Sequence, residues 1–265
     1  MIDNEGAWRA LSAVRSARPL VHNITNYVVM NSTANALLAL GASPAMVHAV
    51  EEVEEFVDLA QALVVNIGTL SADWVTAMRL AVARARQSGR PWVLDPVGVG
   101  ATRYRNLVAG ELALSSPSAI RGNASEILSL AQATSQATRG VDSSEPAEAA
   151  ILAARELAQR LGTVVAVTGA VDYITDGERV VSCNNGHALM TRVTGMGCTA
   201  TALIGAFLAV EPDPLAAAVY GLAVLGVAGE LAAANAKGPG TFQVQLYDAL
   251  ANLERATLLE RARLA

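Results

Sequence analysis

The stretch Val193-Thr194-Gly195-Met196-Gly197-Cys198-Thr199-Ala200 sets two glycines, a thiol and two hydroxyls at the head of a long apolar run that reaches about Val210. Gly195 and Gly197 permit positive φ and the close approach of another group to the backbone. Thr194 suits the cap of the coming helix, and Thr199 offers a hydroxyl in its first turn. Free N–H groups at such a start, reinforced by the helix dipole, attract a phosphate or the negative charge that develops in a reaction. Cys198 is expected in a field that favours its thiolate. A glycine-rich turn around a small buried cysteine would have the same sequence, so this stretch by itself leaves both readings open.

Other polar residues cluster where apolar runs end. His22-Asn23-Ile24-Thr25-Asn26 follows a strand that begins near Pro19, and Gly68-Thr69 breaks the apolar run Ala62-Leu63-Val64-Val65-Asn66-Ile67. Asp95 closes Pro91-Trp92-Val93-Leu94 and leads into the glycine-rich Pro96-Val97-Gly98-Val99-Gly100. Arg121 and Asn123 end the run from Ala119, with Glu126 three residues beyond Asn123, and Thr168-Gly169 ends the run from Thr163. In an open α/β sheet, ligands bind at the carboxyl ends of the strands, which is where such residues would gather. Each also has a structural reading. Asn23 and Thr25 suit an Asx or ST turn, Asp95 suits a turn cap, and Asn123 with Glu126 suits a capping box. Arg121, Asn123 and Glu126 suit a nucleotide and its magnesium equally well, and Asp95 suits a metal or a polar substrate.

These groups need rigid elements to position them. The spacing predicts helices over residues 7–16, 31–40, 71–88, 103–114, 146–161 and 214–235, one from the Glu51–Glu55 run to Gln61, and a tail helix from 241 to about 263. Met46, after Ala42-Ser43-Pro44-Ala45, belongs to a short strand or loop, and 134–145 reads as a loop. Asp172 to Val181 reads as a hairpin turning at Asp176-Gly177. Apolar strands alternating with helices predict a mostly parallel sheet covered on both faces.

At 265 residues and 52% hydrophobic, with no linker, the chain is expected to form a single domain over 1–265. A charged fraction of 16% is low and points to surface covered by other subunits. A net charge of −5 without a basic stripe argues against a nucleic-acid partner. Cys183 and Cys198 make no disulfide framework, and His22, His48 and His187 lack zinc-ligand spacing. No signal peptide is expected in MIDNEGAW, and Glu230 would be costly in lipid, so a cytoplasmic protein with no membrane partner is expected.

Taken in order, HNITN (22–26), GASPAM (41–46), NIGTL (66–70), DPVGVGAT (95–102), IRGNASEI (120–127), VTGAVDYITDG (167–177) and VTGMGCTATA (193–202) resemble the motifs of the hydroxyethylthiazole kinase family of the ribokinase-like superfamily. The resemblance implies a ribokinase-like three-layer α/β sandwich without a separate lid domain. It implies transfer of the ATP γ-phosphate to the hydroxyl of 4-methyl-5-(2-hydroxyethyl)thiazole, with Mg²⁺, in thiamine synthesis and salvage. Asn26 and Met46 are then thiazole-side residues, Gly195 a shared substrate contact, and Arg121 and Thr168 nucleotide contacts. Asp95 and Glu126 resemble acids that organise magnesium. The Gly195–Gly197–Cys198 turn is the expected catalytic element, with Cys198 where most of the superfamily has Asp. A homotrimer with its active sites between subunits is also implied.

Overall fold

The computed structural model describes residues 2–135 and 146–265, so nearly all of the loop expected at 134–145 lies outside the described residues. In chain order the first half contains α1 (Asn4–Ala17), β1 (Leu20–Ile24), α2 (Met30–Leu40), β2 (Ser43–Ala45), α3 (Val53–Leu59), β3 (Ala62–Asn66), α4 (Ala72–Gln87), β4 (Trp92–Asp95), α5 (Arg103–Ala113), β5 (Ala119–Asn123) and α6 (Ala124–Thr134). Then follow α7 (Pro146–Leu161), β6 (Val164–Thr168), β7 (Asp172–Thr175), β8 (Val180–Cys183), a 3₁₀ turn (Ala188–Arg192), α8 (Met196–Leu208), α9 (Pro214–Asn235), α10 (Pro239–Asn252) and α11 (Arg255–Arg261).

The eight strands form one sheet in the order β2-β1-β3-β4-β5-β6-β7-β8. From β2 to β6 neighbours run parallel, and the expected hairpin β7–β8 is added antiparallel. Side chains alternate across a strand, which fills two cores. Val21, Val64, Val93 and Ala119 meet α1, α2, α8, α9 and α10, whereas Leu63, Val65, Trp92, Leu94 and Ile120 meet α3 to α7. This is the expected ribokinase-like three-layer arrangement. By length and composition α9 could cross a membrane, but 89% of its apolar window is buried in the first core. A helix that is apolar all round is a core helix when it is enclosed in this way.

Two expectations are corrected. The helix of the glutamate run ends at Leu59, because Ala60 is buried and extended and the chain turns there into β3. Gln61 instead accepts the Leu20 N–H through Oε1 (2.8 Å). The tail is two helices. Arg15 of α1 donates to the carbonyls of Leu250 (2.9 Å), Ala251 (3.3 Å) and Leu253 (2.9 Å), so a cation capping the last turn ends α10. The 3₁₀ turn went unforeseen; His187 begins it, its Nδ1 accepting the Leu189 N–H (3.1 Å).

Candidate active site

Because β1, β3, β4, β5 and β6 run parallel, their polar carboxyl ends fall along one edge of the sheet, facing the start of α8. There they form a connected chain. Asn66, the last residue of β3, donates from Nδ2 to Asp95 Oδ2 (2.9 Å) and accepts through Oδ1 from Asn26 Nδ2 (2.8 Å) and the Gly68 N–H (2.9 Å). Thr201 of α8 also donates to Asp95 Oδ2 (2.8 Å). Asn26 reaches Cys198 Sγ at 3.5 Å. On the other side, Arg121 Nη1 lies 3.9 Å from Asp95 Oδ2, and Arg121 Nη2 donates to Thr168 Oγ1. Thr168 Oγ1 in turn donates to the Gly122 carbonyl (3.3 Å).

The chain is incomplete at two atoms. Asp95 is fully buried, yet its Oδ1 has no partner among the described residues, and neither has Arg121 Nε. Buried polar atoms are nearly always paired; these two are the unpaired ones that belong to the polar chain, whereas others such as His22 Nδ1, Thr33 Oγ1 and Trp92 Nε1 do not. Burial pushes the Asp95 carboxyl up to about 6, with the Arg121 charge pulling it down and the Glu126 charge adding to the rise. Asp172 is raised to about 6, again chiefly by burial, and accepts the Gly169 N–H (3.0 Å).

Arg121, Asn123, Thr168, Gly195 and Gly197 line one cleft of about 660 Å³, together with Asp172. Asp95, Cys198 and Asn26 do not line it and belong to the hydrogen-bonded chain. Met46 lies just past the edge strand β2, packed against the first core, and does not line the cleft. Asn23 folds back to its own strand, Nδ2 donating to the Val21 carbonyl (2.9 Å). Glu126 realises the capping box: Oε2 accepts the Asn123 N–H and Oε1 the Gly98 N–H, both at 2.9 Å, while Asn123 Oδ1 accepts the Glu126 N–H at 2.9 Å. Both of its oxygens are therefore engaged by backbone.

The turn into α8 differs from expectation in three ways. Gly195 itself is the N-cap, at φ 83°, and no side chain caps the helix, so Thr194 leaves the first N–H groups open. Gly197 is helical; what its missing Cβ provides is room, since a Cβ there would meet the Arg121 guanidinium at 2.8 Å from Nη2 and 2.9 Å from Cζ. For Cys198 the surroundings work against the expected thiolate. Burial and the Asp95 charge push its thiol up to about 11, outweighing the bonds from Asn66 and Asn26 and the Arg121 charge.

Asn66, Thr201 and Asp172 were not singled out from the sequence. Asn66 had a signal, an amide closing an otherwise apolar buried strand. Thr201 sits one turn after Cys198 in an apolar helix, and Asp172 looked like the first residue of a hairpin; neither had a distinguishing neighbour in sequence.

The hydroxyethylthiazole kinase family model matches residues 11–256. The chain is 60% identical over 253 residues to a hydroxyethylthiazole kinase of Granulibacter bethesdensis, covering 96% of this chain and 92% of the relative. It superposes on the structure of a hydroxyethylthiazole kinase from Pyrococcus horikoshii OT3 with a TM-score of 0.92 at 46% identity, covering 98% of each. A ribokinase-like superfamily protein from Enterococcus faecalis V583 shares the fold, with a TM-score of 0.61 at 15% identity and coverage of 89% and 88%.

Proposed function

Since the chain belongs to the hydroxyethylthiazole kinase family, we propose that its cleft takes ATP and that the Asn26–Cys198 end of the polar chain receives the thiazole alcohol. The reaction of the family, phosphorylation of hydroxyethylthiazole in thiamine salvage, is the reaction of this enzyme. The observation that supports the placement is the continuous chain Cys198–Asn26–Asn66–Asp95–Arg121–Thr168, with its two unpartnered atoms between the two ends.

In this reading Arg121 and Thr168 bind phosphate oxygens, Asn123 borders the nucleotide, and the open N–H groups beyond Gly195 face the phosphoryl group in transit. Phosphoryl transfer depends mostly on positioning and on stabilising charge spread over the equatorial oxygens. A cation at Arg121 and uncapped N–H groups at Gly195–Cys198 supply that charge. The free Oδ1 of Asp95 is an acceptor for the proton of the substrate hydroxyl, a task for which the Cys198 thiol is poorly matched. Cys198 instead fills the floor beneath the acceptor and takes the Asn26 bond.

The donors also fit magnesium. Magnesium is commonly bound through phosphates and one or two carboxylates, here that of Asp95. Asp95 would act on it through water, its Oδ1 being kept for the proton of the substrate hydroxyl, and Glu126 would fix the neighbouring loop. An ion held there would neutralise phosphate charge.

Met46 and Asn26 on the acceptor side, with Tyr27 and Val28, which directly follow Asn26, strongly exposed (65% and 63%), favour a thiazole site completed by a second subunit of a homotrimer. A single cytoplasmic kinase domain accounts for the rest. Light scattering should give three times the mass of one chain; an active monomer would refute the shared site.

The test of the nucleotide side is Arg121→Lys. Lysine is a point charge that cannot fork between phosphate and Thr168. Losing one charge-assisted bond, about 1.5 kcal/mol, raises the KM for ATP roughly tenfold while the KM for the thiazole stays within about twofold. Equal changes in both, or none, would return Arg121 to a structural role.

A further inference from the structure

We propose that Arg105, which stands outside the cleft and the polar chain, is the positioning residue that fixes Asn66 and Asp95 relative to each other, and thereby sets the rate of transfer; this rests on the placement of those two side chains in the active site. Thr102 caps α5, its Oγ1 accepting the Arg105 N–H at 3.2 Å, and so sets the direction in which Arg105 leaves the first turn. From there the guanidinium reaches under two loops. Nη1 donates to the carbonyls of Ile67 (2.6 Å) and Val97 (2.9 Å), and Nη2 donates to that of Gly68 (2.8 Å).

Those carbonyls follow β3 and β4 by one or two residues. Asn66 and Asp95 are paired across the two strands and bonded to each other at 2.9 Å. Past this point the strands have little backbone bonding left to hold them in register, Ile67 N–H to the Asp95 carbonyl at 3.2 Å being the last link. Arg105 takes over where the ladder ends. The other anchors each hold one loop: Asn66 Oδ1 holds Gly68, Glu126 holds Gly98, and Asn106 Oδ1 accepts the Gly100 N–H (2.7 Å). Arg105 bonds both loops at once. Three charge-assisted bonds from one planar fork confer a geometry that lysine cannot copy.

A shift of about 1 Å in a positioned group costs on the order of 10²-fold in rate. Arg105→Ala should therefore lower kcat on the order of 10²-fold and leave both KM values within about threefold, because no substrate contact is removed. Free guanidinium ion at non-denaturing concentration should restore at least about a tenth of the loss, and methylammonium should not, as only the fork matches the three carbonyls. Amide hydrogen exchange should quicken at residues 67–68 and 97–98 and stay unchanged in β6. Arg103→Ala, two residues away with no hydrogen bond to either loop, should behave as wild type. If Arg105→Ala does not fold, Arg105→Lys carries the same kinetic and exchange tests. A kcat within threefold of wild type, a rise of the ATP KM in step with the loss, or equal rescue by methylammonium would overturn the proposal. Should Arg105→Ala be harmless while Asp95→Asn is crippled, Arg105 alone is misassigned; if both are harmless, the site placement itself is wrong.

Discussion

Gly197→Ala should slow turnover on the order of 10²–10³-fold while leaving the protein folded and about as stable as before. The cost expected is that of disturbing an anion-stabilising group. In the structure the new methyl group would run into the Arg121 guanidinium rather than into backbone, and a guanidinium at the end of a long side chain can move aside. It would leave Thr168 and the neighbourhood of Asp95 in doing so. Alanine in place of glycine within a helix gains up to about 1 kcal/mol of intrinsic propensity, which offsets the local crowding. The combination of preserved stability with lost rate separates this account from one in which the glycine serves only folding. Cys198→Ala is the internal reference: a thiol near 11 contributes little as a base, so this variant should lose about tenfold or less. Steady-state rates beside thermal unfolding decide the comparison. A healthy Gly197→Ala with a disabled Cys198→Ala would reverse the roles assigned to the two residues.

Asp95→Asn should lower kcat on the order of 10³-fold, within the range for loss of a general base, and the fold should survive. An asparagine can place its carbonyl oxygen where Oδ2 accepts from Asn66 and Thr201, leaving its amide nitrogen where Oδ1 has no partner. No hydrogen bond of the free protein is broken, and the desolvation that raises the carboxyl to about 6 is relieved. Only the negative charge is lost, and with it the counter-charge of Arg121 and the free anionic oxygen. The same value sets the pH dependence. Asp95 is ionised above its folded value and neutral below it, so kcat/KM for ATP should fall with an acid limb near pH 6 in the wild type. Asp172 also titrates near 6, and Asp172→Asn should keep the limb, whereas Asp95→Asn should show none on its residual rate. A limb that disappears in Asp172→Asn would transfer the titration to that residue. Loss of less than tenfold in Asp95→Asn would remove it from the chemistry.

Much of the layout could be read from residue patterns alone. Apolar runs such as Ala62 to Val65 and Val164 to Val167 have the continuous character of strands buried on both faces, and they became the central strands β3 and β6. Residues that close those runs, Asp95, Arg121 and Thr168 among them, could be placed at one edge because parallel strands end together. What could not be read was set by contacts distant in sequence. The tail helix breaks because Arg15 lies against carbonyls more than 230 positions away. Cys198 sits at a helix start, which favours a thiolate, yet burial beside Asp95 prevails. Gly197 carries a space requirement that only the position of Arg121 reveals. Asn123 and Glu126 matched two readings, and hydrogen-bond geometry shows the capping box.

The central claim is that this polar chain moves a phosphoryl group from ATP to the thiazole alcohol and discriminates among acceptors. ATP consumption by the wild-type enzyme with magnesium, measured side by side with hydroxyethylthiazole, the hydroxymethylpyrimidine alcohol and ribose, tests it most directly. Rapid turnover with the thiazole and rates near background with the other two are the predicted result; a faster rate with the pyrimidine or the sugar, or no consumption with the thiazole, would contradict it.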